Sequence, residues 1–225
     1  ALYSVLSHTD APGPPAVPPS DLEPLRGSTV SSRGDFNLVE VTRKDLEPAA
    51  KLCVQVFFGN DTSWWKQSQL RRLYAEQLLD LTDKFNRPSK SILFKVTEMD
   101  ATGEIIIGFA ELSMCRGLRV CSTLPVLDER PVLSNLAVRE NRRRRGIGSL
   151  LMQECENAAQ RWGFTEVVLQ VEEDNREARA LYQALGYREL FTDRTARRYD
   201  TSGFFLRNVR TAKTTLSKPL DAVEL

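Results

Sequence analysis

Residues 132–152 read VLSNLAVRENRRRRGIGSLLM and carry the strongest structural signal in the chain. The apolar run at 132–138 is typical of a buried strand, and residues 149–152 begin a segment with helical spacing. Between them, residues 142–148 form a basic loop with two glycines. Glycine lets the backbone approach a ligand closely, and the first N–H groups of a helix lack intrahelical partners. The stretch therefore predicts an anion-binding site, with arginines that can hydrogen-bond phosphate.

The periodicity on either side of this loop predicts a mixed sheet flanked by helices. Strands are predicted at 36–41, 91–97, 104–112, 132–138, 166–172, 187–191 and 203–209, and helices at 46–57, 64–85, 147–162 and 174–185. Strands joined by turns should pair antiparallel, whereas the two strands that flank the glycine loop are joined by a helix and should be parallel. The predicted fold class is therefore α/β with a central mixed sheet.

The patterned region lies between two segments that lack helical or strand periodicity. Residues 1–34 include APGPPAVPPS at 11–20, so we expect a disordered, proline-rich N-terminal tail there. Residues 35–210 form the predicted domain, and residues 211–225 are expected to be a mobile C-terminal tail.

Composition excludes several classes of function. The 225 residues suit one domain of ordinary size, and 41% hydrophobic with 27% charged residues is typical of a soluble protein. A net charge of +1 argues against non-specific nucleic-acid binding by the whole chain. No apolar run approaches the roughly 20 residues that cross a bilayer, so no membrane span is predicted.

The single histidine and the cysteine spacing limit the possible chemistry. His8 is the only histidine and lies near the proline-rich segment, which excludes a Ser-His-Asp triad, a Cys-His pair or a histidine-bound zinc site in the domain. The cysteines (Cys53, Cys115, Cys121, Cys155) show no CxxC spacing. We therefore expect no metal site and no structural disulfide.

Four interpretations of the basic glycine loop compete. A Walker loop needs Lys and Ser or Thr after its second glycine, and a dinucleotide loop needs a third glycine; residues 146–151, GIGSLL, provide neither. A run of four arginines can also be a solvated turn or a nuclear-localisation or nucleic-acid patch. The fourth interpretation is the pyrophosphate loop of an acyl-CoA transferase, which the adjoining strand and helix start favour.

Two motifs carry a resemblance to a known family. Residues 143–148, RRRGIG, fit the loop pattern Q/R-x-x-G-x-G/A, and residues 175–187, NREARALYQALGY, fit N-x-x-A-x-x-L-Y-x-x-L-G-F/Y. In this order and spacing, the segment 132–187 resembles motifs A and B of the GNAT superfamily of N-acetyltransferases. The run LSNLAV at 133–138 with its arginine-rich loop is similar to plastid members from plants and algae.

The resemblance implies the GNAT acyl-CoA N-acyltransferase fold and acetyl-CoA as co-substrate, with no metal. It implies that the strands at 132–138 and 166–172 splay apart around the pantetheine, and that main-chain groups near Leu136 and Val138 bind it and polarise the thioester carbonyl. The implied CoA-binding residues are Leu136, Ala137, Val138, Arg143, Arg144, Arg145, Gly146, Ile147, Gly148, Ser149, Asn175 and Tyr182.

The resemblance also suggests the residues that move protons. Tyr182 fits the motif B tyrosine that protonates the departing thiolate, although an aromatic residue at helical spacing is commonly a core residue. Some relatives, the ribosomal-protein alanine acetyltransferases, carry glutamate where this chain has Gln170, which cannot act as a base. Glu111 and Glu172 are the alternative base candidates, and each could equally be a solvated carboxylate.

The resemblance implies direct acetyl transfer in a ternary complex to a protein amine, either an N-terminal α-amine or a lysine. The acceptor should approach over residues 58–65 and 193–199. The rival functions are a small-amine (arylalkylamine or polyamine) acetyltransferase and a catalytically silent GNAT subunit of a larger complex. Expected partners are a protein or peptide substrate and a complex formed through the tails, with no nucleic acid. The expected location is the chloroplast stroma, with association with a thylakoid complex as one option, and the alternative is the cytoplasm.

Overall fold

The computed structural model describes residues 29–33, 36–59, 61, 63–101, 103–116 and 129–220. The helices are α1 (Leu46–Phe58), α2 (Trp64–Phe85), α3 (Ile147–Arg161) and α4 (Arg176–Ala184). The strands are β1 (Thr29–Arg33), β2 (Phe36–Glu40), β3 (Ser91–Asp100), β4 (Gly103–Cys115), β5 (Arg130–Val138), β6 (Glu166–Glu172), β7 (Arg188–Asp193), β8 (Arg197–Asp200), β9 (Arg207–Arg210) and β10 (Lys213–Pro219).

The central sheet has eight strands in the order β1-β2-β3-β4-β5-β6-β10-β7. β5 and β6 are parallel, and the other neighbours in this order are antiparallel. The parallel pair is the one joined through the glycine loop and α3, as the helical connection requires. The predicted mixed sheet flanked by helices is confirmed. β8 and β9 form a separate hairpin within the connection from β7 to β10.

Two apolar clusters cover opposite faces of the sheet. Side chains alternate between faces along a strand, so Leu93 packs in the cluster of α1 and α2, whereas its neighbour Phe94 packs in the cluster of α3 and α4. The α3 face includes Leu151, and the α1–α2 face includes Phe109, both fully buried. The sheet is therefore a layer between two helical layers. The glycine loop lies between the end of β5, an interior strand of this sheet, and the start of α3.

The predicted domain boundaries are wrong at both ends. Residues 213–219, which we expected in a mobile tail, form β10 and pair with both β6 and β7 inside the sheet. Residues 29–33, expected in the N-terminal tail, pair with β2. β10 was missed because its sequence, KTTLSKP, has a single large apolar residue, Leu216, and strand periodicity is identified from apolar residues. Within the two predicted tails, residues 1–28, 34 and 221–225 lie outside the described residues.

Candidate active site

The two parallel strands part after a short stretch of pairing. β5 and β6 are paired only at Val132 with Val168 and at Leu133 with Leu169. β5 continues to residue 138 and β6 to residue 172, so the remaining residues of each strand flank a gap in the sheet. This is the splaying that the resemblance implied.

Main-chain groups of β5 face this gap. The Arg139 N–H donates to the Ile107 C=O at 2.9 Å, and Ala137 is the register partner of Phe109 on β4. Hydrogen-bonding direction alternates along an antiparallel strand, so the main-chain groups of Val138 and Leu136 point away from β4 and into the gap. The gap-facing main chain of Leu136 and Val138 is compatible with the predicted thioester contacts, which stay predictions, whereas the main chain of Ala137 is directed toward β4.

A bulge interrupts β5 immediately before Leu136. From the pair Phe109–Ala137 to the pair Glu111–Ser134, β4 advances two residues and β5 three, so β5 contains one extra residue. Asn135 has a φ of 53°, in the left-handed region that few residues other than glycine adopt readily. This position was not predicted from the sequence, although asparagine within an apolar strand is the residue type that tolerates such a conformation.

The glycine loop forms a helix start that is open to an anion. Gly146 has a φ of 79° and precedes α3, whose first turn contains no acidic residue and whose start carries no side-chain cap. The N–H groups of Ile147, Gly148 and Ser149 come before the first intrahelical hydrogen bond, from Leu150 to the Gly146 C=O. The geometry is compatible with the predicted anion site, whose contacts would come mainly from the backbone.

The arginines of the loop divide into two groups. Arg142 Nε donates to Glu98 Oε1 at 2.6 Å, and Arg145 lies 3.5 Å from the other oxygen of the same carboxylate. Both are therefore drawn toward β3, which disfavours the predicted role of Arg145 in CoA binding. Arg143 makes a 3.4 Å contact with Glu177 on α4, and Arg144 is exposed. Arg143 and Arg144 therefore remain the arginine side chains best placed to contact a phosphate.

Gly146 and Gly148 provide a matched pair for testing this loop. Because alanine at a positive φ costs about 1–2 kcal/mol, Gly146→Ala should weaken acetyl-CoA binding on the order of tenfold. A methyl group at Gly148 would lie 3.3 Å from Leu181 Cδ2, the end of a flexible side chain, so Gly148→Ala should change the Kd far less. Calorimetric titration with acetyl-CoA measures both values, and equal losses would contradict the assignment of Gly146 as the conformational element.

Motif B packs against the loop through α4. Asn175 caps this helix, because its Oδ1 accepts from the Ala178 N–H at 3.1 Å. Tyr182 is 7% exposed and belongs to the core on the α3 face, with its ring centroid 6.0 Å from that of Tyr187. A Cβ placed on Gly148 would lie 3.3 Å from Leu181 Cδ2, so the two motifs lie close together in space. The roles of Asn175 and Tyr182 toward CoA stay predictions, and their positions are compatible with them.

Glu111 lies in an environment that disfavours the predicted base role. Its side chain is fully buried and forms an ion pair with Lys84 Nζ at 2.6 Å. Burial raises its pKa, but the charge and hydrogen bonds of Lys84 and a hydrogen bond from Ser113 outweigh this and lower the pKa to about 2. A carboxylate with so low a pKa is a weak proton acceptor at neutral pH.

Glu172, the other base candidate, ends β6 beside the hairpin. Its carboxylate accepts from Arg198 on β8 at 2.6 Å, and the same guanidinium bonds Asp174 at 2.9 Å. Gln170, two residues earlier, donates from Nε2 to Thr215 on β10 at 3.2 Å. Glu172 is therefore engaged in joining the sheet to the hairpin, and its base role stays a prediction.

The β8–β9 hairpin reaches across to α2. Gln69 Nε2 donates to the carbonyl oxygens of Gly203 and Phe204, both at 2.8 Å, and the rings of Trp65 and Phe204 lie 5.2 Å apart between centroids. Trp65 belongs to one predicted acceptor segment, but its partner lies in the hairpin turn and not at 193–199. We call this contact, formed by Trp65, Gln69, Gly203 and Phe204, the hairpin clasp.

Within the part of the chain that the structure describes, no cluster of three or more His, Cys, Asp or Glu side chains could hold a metal ion. Among the same residues, no helix is both long and apolar enough to span a bilayer. Cys53, Cys115 and Cys155 are free thiols. Cys121 lies outside the described residues.

A parallel strand pair that opens beside a glycine loop and a helix start is the arrangement that the resemblance to the GNAT superfamily implied. The family model described as Acetyltransferase (GNAT) family matches residues 59–187. The chain belongs to this family.

Two curated relatives come from Arabidopsis thaliana. GCN5-related N-acetyltransferase 7, chloroplastic, is 31% identical over 91 residues, which are 38% of this chain and 33% of the relative. GCN5-related N-acetyltransferase 10, chloroplastic, is 31% identical over 88 residues, 39% of this chain and 34% of the relative. The similarity thus spans about a third of the length of each relative.

Solved structures share the fold at low sequence identity. Naa20 of Chaetomium thermophilum in complex with a bisubstrate analogue has a TM-score of 0.58 and 20% identity, covering 81% of this chain and 86% of that one. The ribosomal-protein-S18-alanine N-acetyltransferase of Escherichia coli has a TM-score of 0.55 and 18% identity, covering 84% and 98%. The ribosomal L7/L12 α-N-protein acetyltransferase RimL in complex with coenzyme A has a TM-score of 0.60 and 10% identity, covering 87% of this chain and 99% of that one.

Proposed function

We propose that this chain transfers the acetyl group of acetyl-CoA directly to a protein or peptide amine. The observation that carries the proposal is the hairpin clasp, which joins α2 to the β7–β10 connection and leaves two large aromatic side chains beside it exposed, Trp64 at 81% and Phe205 at 82%. An aromatic surface of this kind suits the side chains of a polypeptide better than a compact amine.

The donor side of the proposal rests on the gap and the anion site. The start of α3 would hold the pyrophosphate with the N–H groups of residues 146–149, while Arg143 and Arg144 supply positive charge. The pantetheine would lie between β5 and β6, with Asn175 at its side. The gap-facing main chain of Leu136 and Val138 would then contact the thioester.

The reaction needs no covalent enzyme intermediate. The neutral amine nitrogen forms a bond to the thioester carbonyl carbon, and gap-facing N–H groups stabilise the negative charge on the oxygen. The C–S bond then breaks, and Tyr182 donates its proton to the sulfur. The proton lost by the amine passes to solvent, from which the Tyr182 phenolate regains a proton. A protein α-amine has an ordinary pKa near 8 and a lysine one near 10.4, so an α-amine needs less help to lose its proton. We therefore propose that α-amines are preferred to lysines as acetyl acceptors.

We place the enzyme in the plastid stroma. The proposal is supported by the two relatives that are named chloroplastic and by the similarity of residues 133–138 to plastid members. Import of the full-length protein, fused to a fluorescent reporter, into isolated chloroplasts tests it.

Mass spectrometry of products separates the candidate acceptors. The protein is incubated with acetyl-CoA and a mixture of free-α-amine peptides, lysine peptides with blocked N-termini, and small amines. The proposal predicts a mass increase of one acetyl group on the free-α-amine peptides. Acetylation restricted to small amines would show that the acceptors are small amines and not proteins or peptides. Acetyl-CoA binding without any product would indicate a catalytically silent subunit.

Phe204 tests the clasp as an acceptor element. Phe204→Ala should raise the KM for the peptide about two- to tenfold, because an aromatic pair contributes about 0.5–1.5 kcal/mol. The Kd for acetyl-CoA should not change, since the clasp lies on the acceptor side. Leu79→Ala is the matched control, because this apolar side chain lies on α2 outside the clasp and is 73% exposed. A similar rise in KM would contradict a specific role of the Trp65–Phe204 pair.

A further inference from the structure

A buried ion pair joins α2 to the bulge in β5. Lys84, near the end of α2, lies 2.6 Å from Glu111 on β4. The Glu111 side chain is 0% exposed and that of Lys84 20% exposed. Glu111 in turn contacts both residues that precede Leu136: it accepts from Ser134 Oγ at 3.0 Å and from Asn135 Nδ2 at 2.7 Å. The carboxylate is therefore the connection between a helix and the irregular part of β5.

Both oxygens of this carboxylate are occupied. Oε1 accepts from Lys84, from Ser134 and, at 2.6 Å, from Ser113, and Oε2 accepts from Asn135. A general base must reach the proton of the attacking amine, directly or through one water. Glu111 directs its oxygens to protein donors on three elements, so its contacts fit a role in holding the backbone.

The bond to Asn135 acts on a residue in an unusual conformation. Asn135 has a φ of 53°, a conformation that asparagine tolerates better than other residues with a side chain but that still depends on its surroundings. The next residue along the chain is Leu136, whose main chain faces the gap. A change in the conformation of Asn135 would rotate the peptide unit that carries the Leu136 N–H.

We propose that Glu111 is a positioning residue for acetyl transfer. It holds Asn135 in the left-handed conformation and thereby directs the Leu136 N–H at the thioester oxygen, while Lys84 keeps the carboxylate ionised. The proposal rests on the donor site proposed above, because it concerns the main chain that contacts the thioester.

A second buried ion pair provides a matched control. Lys95 on β3 bonds Asp45, before α1, at 2.8 Å, and the two side chains are 5% and 8% exposed. Like the Lys84–Glu111 pair, it joins a helical element to the sheet. It makes no contact with the bulge among its described hydrogen bonds. Lys95→Met should therefore lower stability without changing kcat.

Asn135 separates conformation from charge. Asn135→Ala removes the bond to Glu111 and disfavours a positive φ, whereas glycine adopts this conformation readily. We expect Asn135→Ala and Glu111→Gln each to lower kcat about 100-fold, and Asn135→Gly to retain most of it. The double variant Glu111→Gln with Asn135→Ala should be no slower than the worse single variant, because both act through one peptide unit. If Glu111→Gln does not fold, the alanine and glycine pair at Asn135 remains decisive.

The measurements are release of CoA to a thiol reagent, with synthetic free-α-amine peptides as acceptors, and calorimetric binding of acetyl-CoA. The proposal predicts a loss in kcat with an unchanged acetyl-CoA Kd and an unchanged shape of the pH profile of kcat/KM. Loss of the acidic limb in Glu111→Gln would identify a base and overturn the proposal, as would wild-type kcat in both Glu111→Gln and Asn135→Ala. Absence of turnover or acetyl-CoA binding in the wild-type protein would instead overturn the proposed function.

Discussion

Tyr182→Phe is expected to lower kcat for acetyl transfer by at least about 100-fold, the usual contribution of a general acid. The substitution removes only the hydroxyl that would protonate the departing thiolate. The ring stays in the core of the α3 face, where Tyr182 is 7% exposed, so the fold and the affinity for acetyl-CoA should persist. Steady-state kinetics across pH and calorimetry measure the two quantities separately.

Tyr187 is the matched control for this experiment. It is also a buried tyrosine, 3% exposed, and its hydroxyl donates to Glu156 at 3.0 Å. Burial and the neighbouring Glu156 raise the pKa of Tyr187, so it is not an acid near neutral pH. Tyr187→Phe should lower the free energy of unfolding and leave kcat unchanged. Equal kcat for Tyr182→Phe and the wild-type protein at every pH would show that Tyr182 does not act as the general acid.

Gly108→Ala should both destabilise the protein and weaken acetyl-CoA binding. A methyl group on Gly108 would lie 2.7 Å from Ile147 Cγ2 and 3.1 Å from Leu151 Cδ1. Ile147 is the first residue of α3 and is 1% exposed, so the whole helix start must shift to make room. Such overpacking costs about 1–3 kcal/mol, and the shift moves the N–H groups that would hold the pyrophosphate. Denaturant unfolding and calorimetry report the two effects.

A second substitution, at Ile147, tests whether the close approach to Gly108 causes the loss of stability in Gly108→Ala. Ile147→Ala alone should lower stability, because it leaves a cavity. In the double variant with Gly108→Ala the added methyl group occupies part of that space, so the combined loss should be smaller than the sum of the two. Additive losses would show that the Gly108–Ile147 contact is not the source. An isolated glycine within a predicted strand is a signal for such a close approach, and it was available from the sequence.

The segment from β5 to α4 could be predicted almost completely before the structure. Apolar runs, glycines and the asparagine at 175 mark its strands, loop and caps, and each of these signals acts between residues close in the chain. The order of the two motifs was enough to identify the family. The same local reasoning failed at β10, whose residues are buried although most of them are polar, including Lys213 at 6% and Thr215 at 0% exposure. Their burial depends on β6 and β7 lying on either side.

Glu111 shows the same division at the level of one side chain. In the sequence, Glu111 is a carboxylate on the strand that precedes β5, and this position suggests a general base. The structure adds Lys84, 27 residues earlier in the chain, and Asn135, 24 residues later, and these contacts favour a positioning role. The hairpin clasp likewise joins residues 134 positions apart. No short-range pattern reports such pairs.

The residues alone predict the anion loop, the helix that begins behind it and therefore the proposed donor, because glycine conformation and helix-end N–H groups are properties of neighbouring residues. Only the folded chain decides where the strands part, which main-chain groups face the gap, what holds the bulge at Asn135 and which surface meets the acceptor. Those features depend on contacts between segments far apart in sequence, and such contacts exist only once the sheet order has brought the segments together.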